Sequence, residues 1–538
     1  MRFHFSAAVS LLSGMNPAFA AGLHSPQPSD IAVANDSLLQ CIRGALNEHL
    51  RDYRIVTPDK EEYETVSTGV ILRVPEYPAV VTYATDINEV VRLVKCGYDN
   101  GYTVTPRSGA HHFENWSALN GTLVVDISHI DYVEPSSDLN TAAVGAGARL
   151  GTVYSILGKH GRTWIAGICP SVGLGGYISV GGYNMQMRKY GLAVDWVESA
   201  TVVLANGTIV TTSETENSDL WWAMRGGGTF GLTVEVVLKL TTIPRSAMLS
   251  LNAPKDGRLE TLKKFVNWAP NQDPLFNSQL NLYGDRANVL GWYIGESKDS
   301  LNALMHGSGL LTIPGAQYNI SGNCSTENSR NFWVYTQQTC TDDEVAHQIS
   351  NALYNVVPDD IMPTNNVSYG FDNTPALPNE PQAMLWPHLG IVEKTYIQQL
   401  GRSGLTDEDL QWIVEKTGYL PAELNVWGEI TTFNLSSAPP SNSAFPWFEE
   451  AEIMYRFEVT RVENELVMQE GQRFIDELDQ LMLARLGSAS YAGYIDAKIK
   501  TDPHYAYWGK NVDRLAEVKA AYDSKDLFSN PFSIRPKV

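Results

Sequence analysis

Two glycine-rich segments hold the residues whose types could carry out chemistry. One runs from Gly167 to Tyr183 and contains Cys169, and the other runs from Arg225 to Gly231. Such runs let backbone N–H groups approach a phosphate or a flat ring closely. Apolar residues alternate with the glycines, which favours a buried segment over a flexible surface loop. Neither spacing matches a dinucleotide-binding or P-loop motif, so the sequence does not favour a nicotinamide enzyme or a nucleotide hydrolase.

The cysteine count also draws attention to Cys169. Five cysteines leave one over if the others form two disulfides. Cys41 could pair with Cys96, which would tie the N-terminal segment to the first core helix, and Cys324 could pair with Cys340. A leftover cysteine in an oxidising compartment is either inert or chemically active. Its position among glycines favours an active Cys169.

The first twenty residues predict a secretory signal peptide. Met1 and Arg2 precede a short apolar run, and small residues at Ala18 and Ala20 predict cleavage after Ala20. Eight Asn-x-Ser/Thr sequons further predict a secreted, N-glycosylated protein. The sequons begin at Asn35, Asn115, Asn120, Asn206, Asn319, Asn323, Asn366 and Asn434.

The formal charge of −21 limits the partners. An acidic chain repels nucleic-acid phosphates and anionic lipid surfaces, so we expect neither nucleic acid nor membrane as a partner. No later segment approaches the roughly 20 apolar residues of a membrane-spanning helix. We expect a monomer that binds a small molecule and no metal ion.

Strand and helix patterns divide the chain into two units. Residues 75–245 alternate strands and helices, including a helix that begins after Asp86 and ends near Gly101. From 246 to 500, long helical patterns such as Glu463–Leu486 mix with alternating strands, which indicates a second α/β unit inserted into the first. The tail is expected to return to the first unit.

Five motifs together resemble those of the berberine bridge enzyme-like flavoproteins, which belong to the vanillyl-alcohol oxidase superfamily. They occur in the same order and comprise Arg107–His111, the run around Cys169, Lys189–Asp195, Gly226–Gly231 and Asn530–Ile534. The chain is most similar to the fungal branch that includes the oligosaccharide oxidases. The family's known chemistry therefore becomes the expectation for this chain.

The resemblance is strong over 75–245 and 487–538 and weak between them. It implies an α+β fold, with a two-part FAD-binding domain of the vanillyl-alcohol oxidase type and an inserted α/β substrate domain. The FAD-binding domain would span 21–245, with its core at 75–245. The substrate domain would span 246–500, and residues 501–538 would complete the FAD-binding domain.

The resemblance implies FAD attached by two covalent bonds. In the family, the histidine of an Arg-x-Gly-Gly-His motif bonds the 8α-methyl group of FAD, and a cysteine bonds carbon 6. His111 and Cys169 match these positions, which also accounts for the leftover cysteine. Two links hold the ring rigidly and make it a stronger electron acceptor. The other residues implied at the cofactor are Arg107, Ser108, Gly109, Ala110, His112, Val172, Gly173, Gly175, Gly176, Gly181, Tyr494 and Asn530.

Three residues depart from the family pattern in this region. Ala110 replaces the second glycine of the motif. His112 replaces a small polar residue, so which of the two histidines is linked stays open. Phe113 stands where many relatives have tyrosine, which weakens the transfer of sugar contacts from the oligosaccharide oxidases.

Flavin oxidation of an alcohol or amine requires a base. Tyr491–Asp496 resembles the family's Tyr-x-Asn-Tyr-x-Asp pattern, with Gly493 in place of asparagine, and Tyr491 matches the base of related oxidases. Tyr183 is a second candidate, and either ring could instead be an ordinary buried aromatic. A free tyrosine has a pKa near 10, so its surroundings must assist it. The sequence does not show which group does so.

The resemblance also bears on the electron acceptor and the substrate. Relatives that react quickly with O2 carry valine where this chain has Val172, because a small side chain leaves room for oxygen; we therefore expect an oxidase that releases hydrogen peroxide. Trp427 and Glu429 stand where relatives have pocket residues. The alternative is an ordinary strand with one exposed carboxylate.

Three functions are compatible with these residues. The first is a carbohydrate oxidase that converts the C1 hydroxyl of an oligosaccharide to a lactone. The second is a tailoring oxidase of secondary metabolism that acts on an alcohol, phenol or amine. The third is a flavin-binding glycoprotein without turnover, in which no substrate would reduce the bound flavin.

Overall fold

The structure is a computed structural model that describes residues 33–49, 51–71, 73–158, 160–167, 169, 172–242, 246–322 and 391–538. The expected signal peptide, the Cys324–Cys340 pair and the sequons at Asn323 and Asn366 lie outside these ranges. The expected Cys41–Cys96 disulfide is present, with 5.7 Å between the two Cα atoms.

The first sheet contains three parallel strands and one antiparallel edge strand. In space its order is β1-β2-β4-β3, where β1 is antiparallel to β2. The strands are β1 (Ile55–Val56), β2 (Val80–Tyr83), β3 (Val104–Arg107) and β4 (Leu123–Asp126), and the helices around them are α1 (Asp36–Ala45), α2 (Tyr63–Ser67) and α3 (Ile87–Asn100). The disulfide joins α1 to α3. Because β2, β4 and β3 are parallel, their C-terminal ends lie on the same side of the sheet. The segment that contains His111 follows the C-terminal end of β3.

The second sheet is antiparallel and has the order β5-β6-β9-β7-β8. Its strands are β5 (Val133–Pro135), β6 (Thr141–Gly145), β7 (Val197–Val203), β8 (Ile209–Ser213) and β9 (Leu232–Lys239). The accompanying helices are α4 (Leu150–Gly158), α5 (Leu174–Ser179), α6 (Met187–Tyr190) and α7 (Ser218–Met224). Both glycine-rich segments belong to connections of this sheet.

The third sheet is antiparallel and has the order β13-β10-β12-β11-β15-β16-β14. Its strands are β10 (Ala247–Pro254), β11 (Phe276–Tyr283), β12 (Arg286–Tyr293), β13 (Gln317–Ser321), β14 (Ile391–Gln399), β15 (Trp427–Thr432) and β16 (Ala451–Thr460). Its helices are α8 (Arg258–Trp268), α9 (Lys298–His306), α10 (Asp407–Tyr419) and α11 (Glu465–Leu486).

The two faces of the third sheet differ in chemistry because successive side chains of a strand point to opposite faces. On one face Leu280, Ile430 and Phe457 pack in a buried cluster with side chains of α8, α10 and α11. The opposite face carries polar side chains, including Glu429 and Arg456, which are cross-strand partners. We call this the polar face.

The C-terminal segment contacts the first half of the chain. It contains α12 (Pro503–Trp508) and α13 (Val512–Tyr522). Leu527 O accepts a hydrogen bond from Val104 N–H at 3.0 Å, and Lys519 Nζ donates to Thr229 O at 3.0 Å. In the ranges that the structure describes, no helix is long and apolar enough to cross a membrane.

One predicted glycosylation site is wrong. Asn115 is 1% exposed, and its side-chain amide donates to Ser67 O at 3.2 Å. A buried asparagine cannot carry a glycan in the folded protein. Asn35, Asn120, Asn206 and Asn319 are exposed.

Candidate active site

A backbone contact joins the two segments that carry His111 and Cys169. A Cβ atom added to Gly109 would lie 2.2 Å from the Gly173 nitrogen, and one added to Gly173 would lie 2.2 Å from the Gly109 nitrogen. Real Cβ atoms do not approach backbone so closely, so only glycine fits at either position. The segment after β3 and the segment before α5 are therefore direct neighbours.

Hydrogen bonds to neighbouring backbone fix this contact. Ser108 Oγ donates to Ala146 O at 2.8 Å, and the Gly175 N–H donates to the same carbonyl at 2.9 Å. The Leu150 N–H donates to Val172 O at 3.0 Å. Both segments are thereby attached to the same part of the second sheet.

Arg107 is engaged by protein groups. Its guanidinium forms an ion pair with Asp126 and donates to the Tyr83 hydroxyl at 3.0 Å and to Val66 O at 2.5 Å. Its side chain is 2% exposed. Arg107 therefore joins β3 to β4 and positions the following loop; its guanidinium is engaged by protein groups, and its contact with the cofactor stays a prediction.

Backbone conformation explains some glycines of the motifs and not others. Ala110 has φ of 54°, in the left-handed region where a side chain costs about 1–2 kcal/mol. The family's glycine at this position would avoid that cost. Gly181 and Gly182 have φ of 105° and 77°, so they form the turn before Tyr183. A Cβ on Gly176 would meet no atom within 4 Å, so packing among the described residues does not require glycine there.

The two adjacent histidines have different surroundings. The His112 ring packs against Trp116, with 5.0 Å between centroids, and its Nδ1 accepts the Glu114 N–H at 3.1 Å. Burial lowers the pKa of His112 to about 4, so the ring is neutral at ordinary pH. His112 is thus engaged in this packing; both histidines are half-buried, and His111 stands at the end of the motif.

Cys169 has a half-buried thiol. Its carbonyl accepts the Val172 N–H at 3.4 Å. The Val172 side chain is partly buried and packs against a buried hydrophobic cluster. Tyr154 donates to Gly167 O at 2.5 Å. Burial and the nearby Cys169 raise the pKa of Tyr154. The thiol therefore lies at the margin of a packed core, where a bound ring could reach it.

Three tyrosines from distant parts of the chain meet at one place. The Tyr183 N–H donates to the Tyr491 hydroxyl oxygen at 3.2 Å, and the two ring centroids are 6.2 Å apart. Tyr494 packs edge-on against Tyr491 at 5.2 Å. Burial raises the pKa of Tyr491 to about 12, while the Tyr183 N–H acts to lower it. The Gly182 N–H acts in the same direction, but burial is the larger effect.

The Tyr183 hydroxyl reaches the polar face of the third sheet. It donates to Glu429 Oε1 at 3.2 Å and lies 3.3 Å from Thr431 Oγ1. Burial and the Glu429 carboxylate raise the pKa of Tyr183. Glu429 is only 5% exposed, so the alternative of an exposed carboxylate on an ordinary strand is wrong. Tyr183 and Glu429 therefore form one hydrogen-bonded pair.

Arg456 is the central group that the sequence reasoning missed. Its guanidinium pairs with Glu393 at 3.1 Å, with Glu429 at 3.4 Å and with Glu458. We call these four residues the Arg456 cluster. Aromatic rings enclose the guanidinium, whose carbon lies 4.3 Å from the Tyr494 centroid. The other two rings, at 5.0 and 5.4 Å, are those of Trp427 and Phe113. An arginine and a glutamate two residues apart in the apolar strand β16 were the available signal.

A row of carboxamides leads from this cluster across the polar face. Gln279 donates to Asn281 at 2.8 Å, Asn281 to Asn288 at 3.3 Å, and Asn288 to Asn252 at 3.1 Å. Trp427 Nε1 donates to Asn281 Oδ1 at 3.0 Å. The row ends at the exposed Asn252, so the polar face connects the tyrosines to solvent.

Asn530 forms a local turn near the histidine motif. Its Oδ1 accepts the Phe532 N–H at 2.9 Å. Phe532 packs edge-on against Trp116 at 5.2 Å, and Trp116 in turn packs against His112. Asn530 thus supports the C-terminal segment behind the motif through Phe532.

These features fit FAD. The Gly109–Gly173 contact brings together the segments that carry His111 and Cys169, and Tyr183 joins Tyr491 to the polar face. A flat ring linked at two points needs such a backbone surface, with proton-transfer groups on the substrate side.

Comparisons with known proteins agree with this interpretation. Residues 78–213 match the family described as FAD binding domain, and residues 490–535 match the family described as berberine and berberine like. The FAD-linked oxidoreductase pynB of Aspergillus niger is 40% identical over 94% of this chain and 93% of that protein. A chitooligosaccharide oxidase of Gibberella zeae is 28% identical over 94% and 97%.

A solved structure is also similar in fold. A glucooligosaccharide oxidase from Acremonium strictum, described with a 6-S-cysteinyl, 8α-N1-histidyl FAD, aligns with a TM-score of 0.73 and 22% identity over 94% of this chain and 100% of that one. At that identity the likeness establishes the α+β fold. The family matches and the full-length relatives establish more: this chain is a member of the berberine bridge enzyme-like family of FAD-linked oxidoreductases.

Proposed function

We propose that this protein is a secreted oxidase that carries FAD on His111 and Cys169 and uses O2 as its electron acceptor. The contact of Gly109 with Gly173 carries the proposal, because it makes the two attachment segments neighbours. When bound, FAD would accept a hydride from the substrate and return the electrons to O2 as hydrogen peroxide. The cysteinyl and histidyl FAD of the Acremonium enzyme supports the same pair of links here.

Of the two histidines, we assign the link to His111. His112 is packed against Trp116, and its Nδ1 already accepts a backbone N–H. Moving His112 to the cofactor would expose Trp116 and break that hydrogen bond. His111 occupies the position of the linked histidine in the family's motif.

The described side chains favour Tyr183 and Glu429 as the route for the substrate's proton. Tyr491 has a pKa of about 12, so very little phenolate would exist at neutral pH. Tyr183 can take a proton at its oxygen while it passes its own proton to Glu429, to which it is hydrogen-bonded at 3.2 Å. No free phenolate is needed along this route. Tyr491 would then orient Tyr183 through the backbone N–H, which revises our first choice of base.

The polar face favours a small organic substrate other than a simple sugar. Phe113 and Trp427 enclose a guanidinium, so these rings are already packed against a protein group. Identity to an FAD-linked oxidoreductase is 40%, against 28% for the chitooligosaccharide oxidase. We therefore place a tailoring oxidase acting on an alcohol, phenol or amine first. The carboxamide row and Trp427, which suit hydroxyl groups, keep carbohydrate oxidation as the second candidate.

Location, size and domain division are part of the proposal. The Cys41–Cys96 disulfide and the four exposed sequons support a secreted glycoprotein. Domain boundaries at 21–245, 246–500 and 501–538 agree with the third sheet, whose described strands begin at Ala247 and end at Thr460. We propose a monomer, with Val172 beside the oxygen-reactive face.

Acid denaturation of the purified protein tests the flavin assignment. Yellow colour that stays with the chain, and FAD mass on the peptides containing His111 and Cys169, are the expected results. FAD mass on His112 would contradict the assignment, and a colourless chain would remove covalent attachment altogether. Flavin that stays bound but is reduced by no alcohol, phenol, amine or sugar would favour the flavin-binding protein without turnover.

Conservative variants test the proton route. Tyr183→Phe and Glu429→Gln should both slow flavin reduction by about 10²-fold or more, as for loss of a general base. Tyr491→Phe should slow it less, because it removes only the partner of a backbone N–H. Equal rates in the Glu429→Gln and wild-type proteins would exclude the route through Glu429.

A further inference from the structure

The Arg456 cluster contains more negative than positive charge. Three carboxylates, those of Glu393, Glu429 and Glu458, surround one guanidinium. If all four groups are ionised, the cluster has a formal charge of −2. In the described part of the chain, the neighbouring cations are used elsewhere: Arg73 pairs with Glu114, and Lys394 pairs with Asp496. They do not neutralise the cluster.

Among the described residues, the other elements packed against the cluster add no cationic group. β14 contributes Glu393, β15 contributes Glu429, and β16 contributes both Arg456 and Glu458. The remaining groups that interact with these charges are the phenols of Tyr183, Tyr283, Tyr494 and Tyr507. Phenols are neutral at ordinary pH, so they leave the excess charge in place.

Burial makes this excess costly. The side chains of the three glutamates are 3–9% exposed. A buried, uncompensated carboxylate either takes up a proton or binds a cation. Burial raises the pKa of Glu393 and of Glu458; the charge of Glu458 adds to the effect on Glu393, and the charge of Glu429 adds to the effect on Glu458. Without a ligand, protons therefore neutralise part of the cluster.

A second observation indicates a missing hydrogen-bond donor. Glu393 is 5% exposed, yet its Oε1 accepts no N–H or hydroxyl hydrogen bond from the described residues, and its carboxyl can be satisfied only by sharing a proton with Glu458. Glu393 and Glu458 are direct cross-strand partners, so their side chains share the polar face. An N–H of a cation at this place would supply the donor and the positive charge together. A quaternary ammonium would supply only the charge, and a hydroxyl only the donor.

We propose that the Arg456 cluster binds a primary or secondary ammonium group of the substrate and releases a proton from Glu393 or Glu458 as it does so. The inference rests on the proposed function in that it takes the polar face as the substrate side of the flavin. It names an anchoring group and assigns no new redox step. Arg456 is saturated by carboxylates, so the same site rejects carboxylate and phosphate substrates.

Proton release gives the proposal a pH signature. When an ammonium ion binds to the protonated cluster, the products are the complex and one free proton, so charge and atoms balance. Affinity must then rise with pH, by up to about tenfold per pH unit while the cluster remains protonated. A neutral ligand that leaves the protons in place shows no such rise.

Calorimetric titration of the purified holoenzyme with three ligands of similar shape tests whether the Arg456 cluster binds ammonium with release of a proton. The probes are benzylammonium, benzyltrimethylammonium and benzyl alcohol, titrated between about pH 6 and about pH 8 in buffers that differ in ionisation heat. Benzylammonium should bind at least about tenfold more tightly than the other two, with release of about one proton. Glu458→Gln should weaken benzylammonium about tenfold and reduce the proton release. The control Glu477→Gln removes a half-exposed carboxylate paired with Lys416 on the far side of the sheet and should change neither.

Several results would overturn the proposal. One is that benzyl alcohol or benzyltrimethylammonium binds as tightly as benzylammonium. Another is that benzylammonium binds without releasing a proton. The third is that none of the three probes binds. If Glu458→Gln does not fold, as judged by its melting temperature, the three-ligand comparison on the wild-type protein decides alone. The absorbance of the acid-denatured chain is measured separately, so loss of the flavin assignment and loss of ammonium binding give different signals.

Discussion

Replacing Gly109 with alanine tests the contact on which the flavin assignment depends. The new Cβ would lie 2.2 Å from the Gly173 nitrogen and 2.7 Å from its Cα. Ordinary contact between such atoms begins near 3.5 Å, so the two backbones must separate by about 1 Å. Both neighbours are backbone and cannot rotate away. Forced overpacking of this kind costs about 1–3 kcal/mol.

The expected result is a folded but less stable protein with less covalent flavin. Thermal unfolding measures the first effect, and absorbance of the acid-precipitated chain measures the second. Gly44→Ala is the control, because a Cβ there meets no atom within 4 Å and the site is an exposed position of α1. A Gly109→Ala protein with wild-type melting temperature and full covalent flavin would refute the contact as the element that aligns the two segments.

Two further predictions concern the residues that follow Gly109. Ala110→Gly should raise the free energy of unfolding by up to about 1 kcal/mol in urea titrations, because it relieves a left-handed residue at a small entropy cost; a loss of stability would contradict the strain at φ of 54°. His112 has a pKa of about 4 when folded and about 6.5 when unfolded, so the unfolded chain binds the proton first as pH falls. Stability should therefore decrease as pH falls from about 6.5 to about 4, by at most about 3 kcal/mol, and His112→Phe should reduce this slope. An unchanged slope in urea titrations at several pH values would exclude His112 as its source.

The local sequence patterns predicted the helices and strands better than they predicted the contacts between distant residues. Asp86 caps α3 by accepting the Glu89 N–H at 2.9 Å, and Gly101 ends the helix with φ of 73°, as the cap residues indicated. The pairing of Cys41 with Cys96 was also predicted. Helix α1 ends at Ala45 because Leu46 is already extended. Caps act within one turn of chain, so a sequence can contain the whole signal.

The site depends on contacts that no local pattern contains. Tyr183 and Tyr491 are 308 residues apart, and the atom that serves Tyr491 is a backbone N–H, which every residue except proline has. Arg456 was missed because its partners lie on two other strands, and only the register of the sheet puts Glu393 and Glu429 beside it. The ion pair of Arg107 with Asp126 was not predicted because it forms only when β3 pairs with β4.

The positions of these groups imply that cofactor chemistry and substrate choice are encoded separately. The family matches cover 78–213 and 490–535, which contain the flavin segments and Tyr491. Glu393, Glu429 and Arg456 lie between those ranges, on strands of the third sheet. A substitution at Glu429 or Arg456 therefore alters the charge that meets the substrate without disturbing the Gly109–Gly173 contact. Relatives can share flavin attachment and still differ in substrate, so the charge of the polar face is a guide to the substrate of this chain that overall identity does not supply.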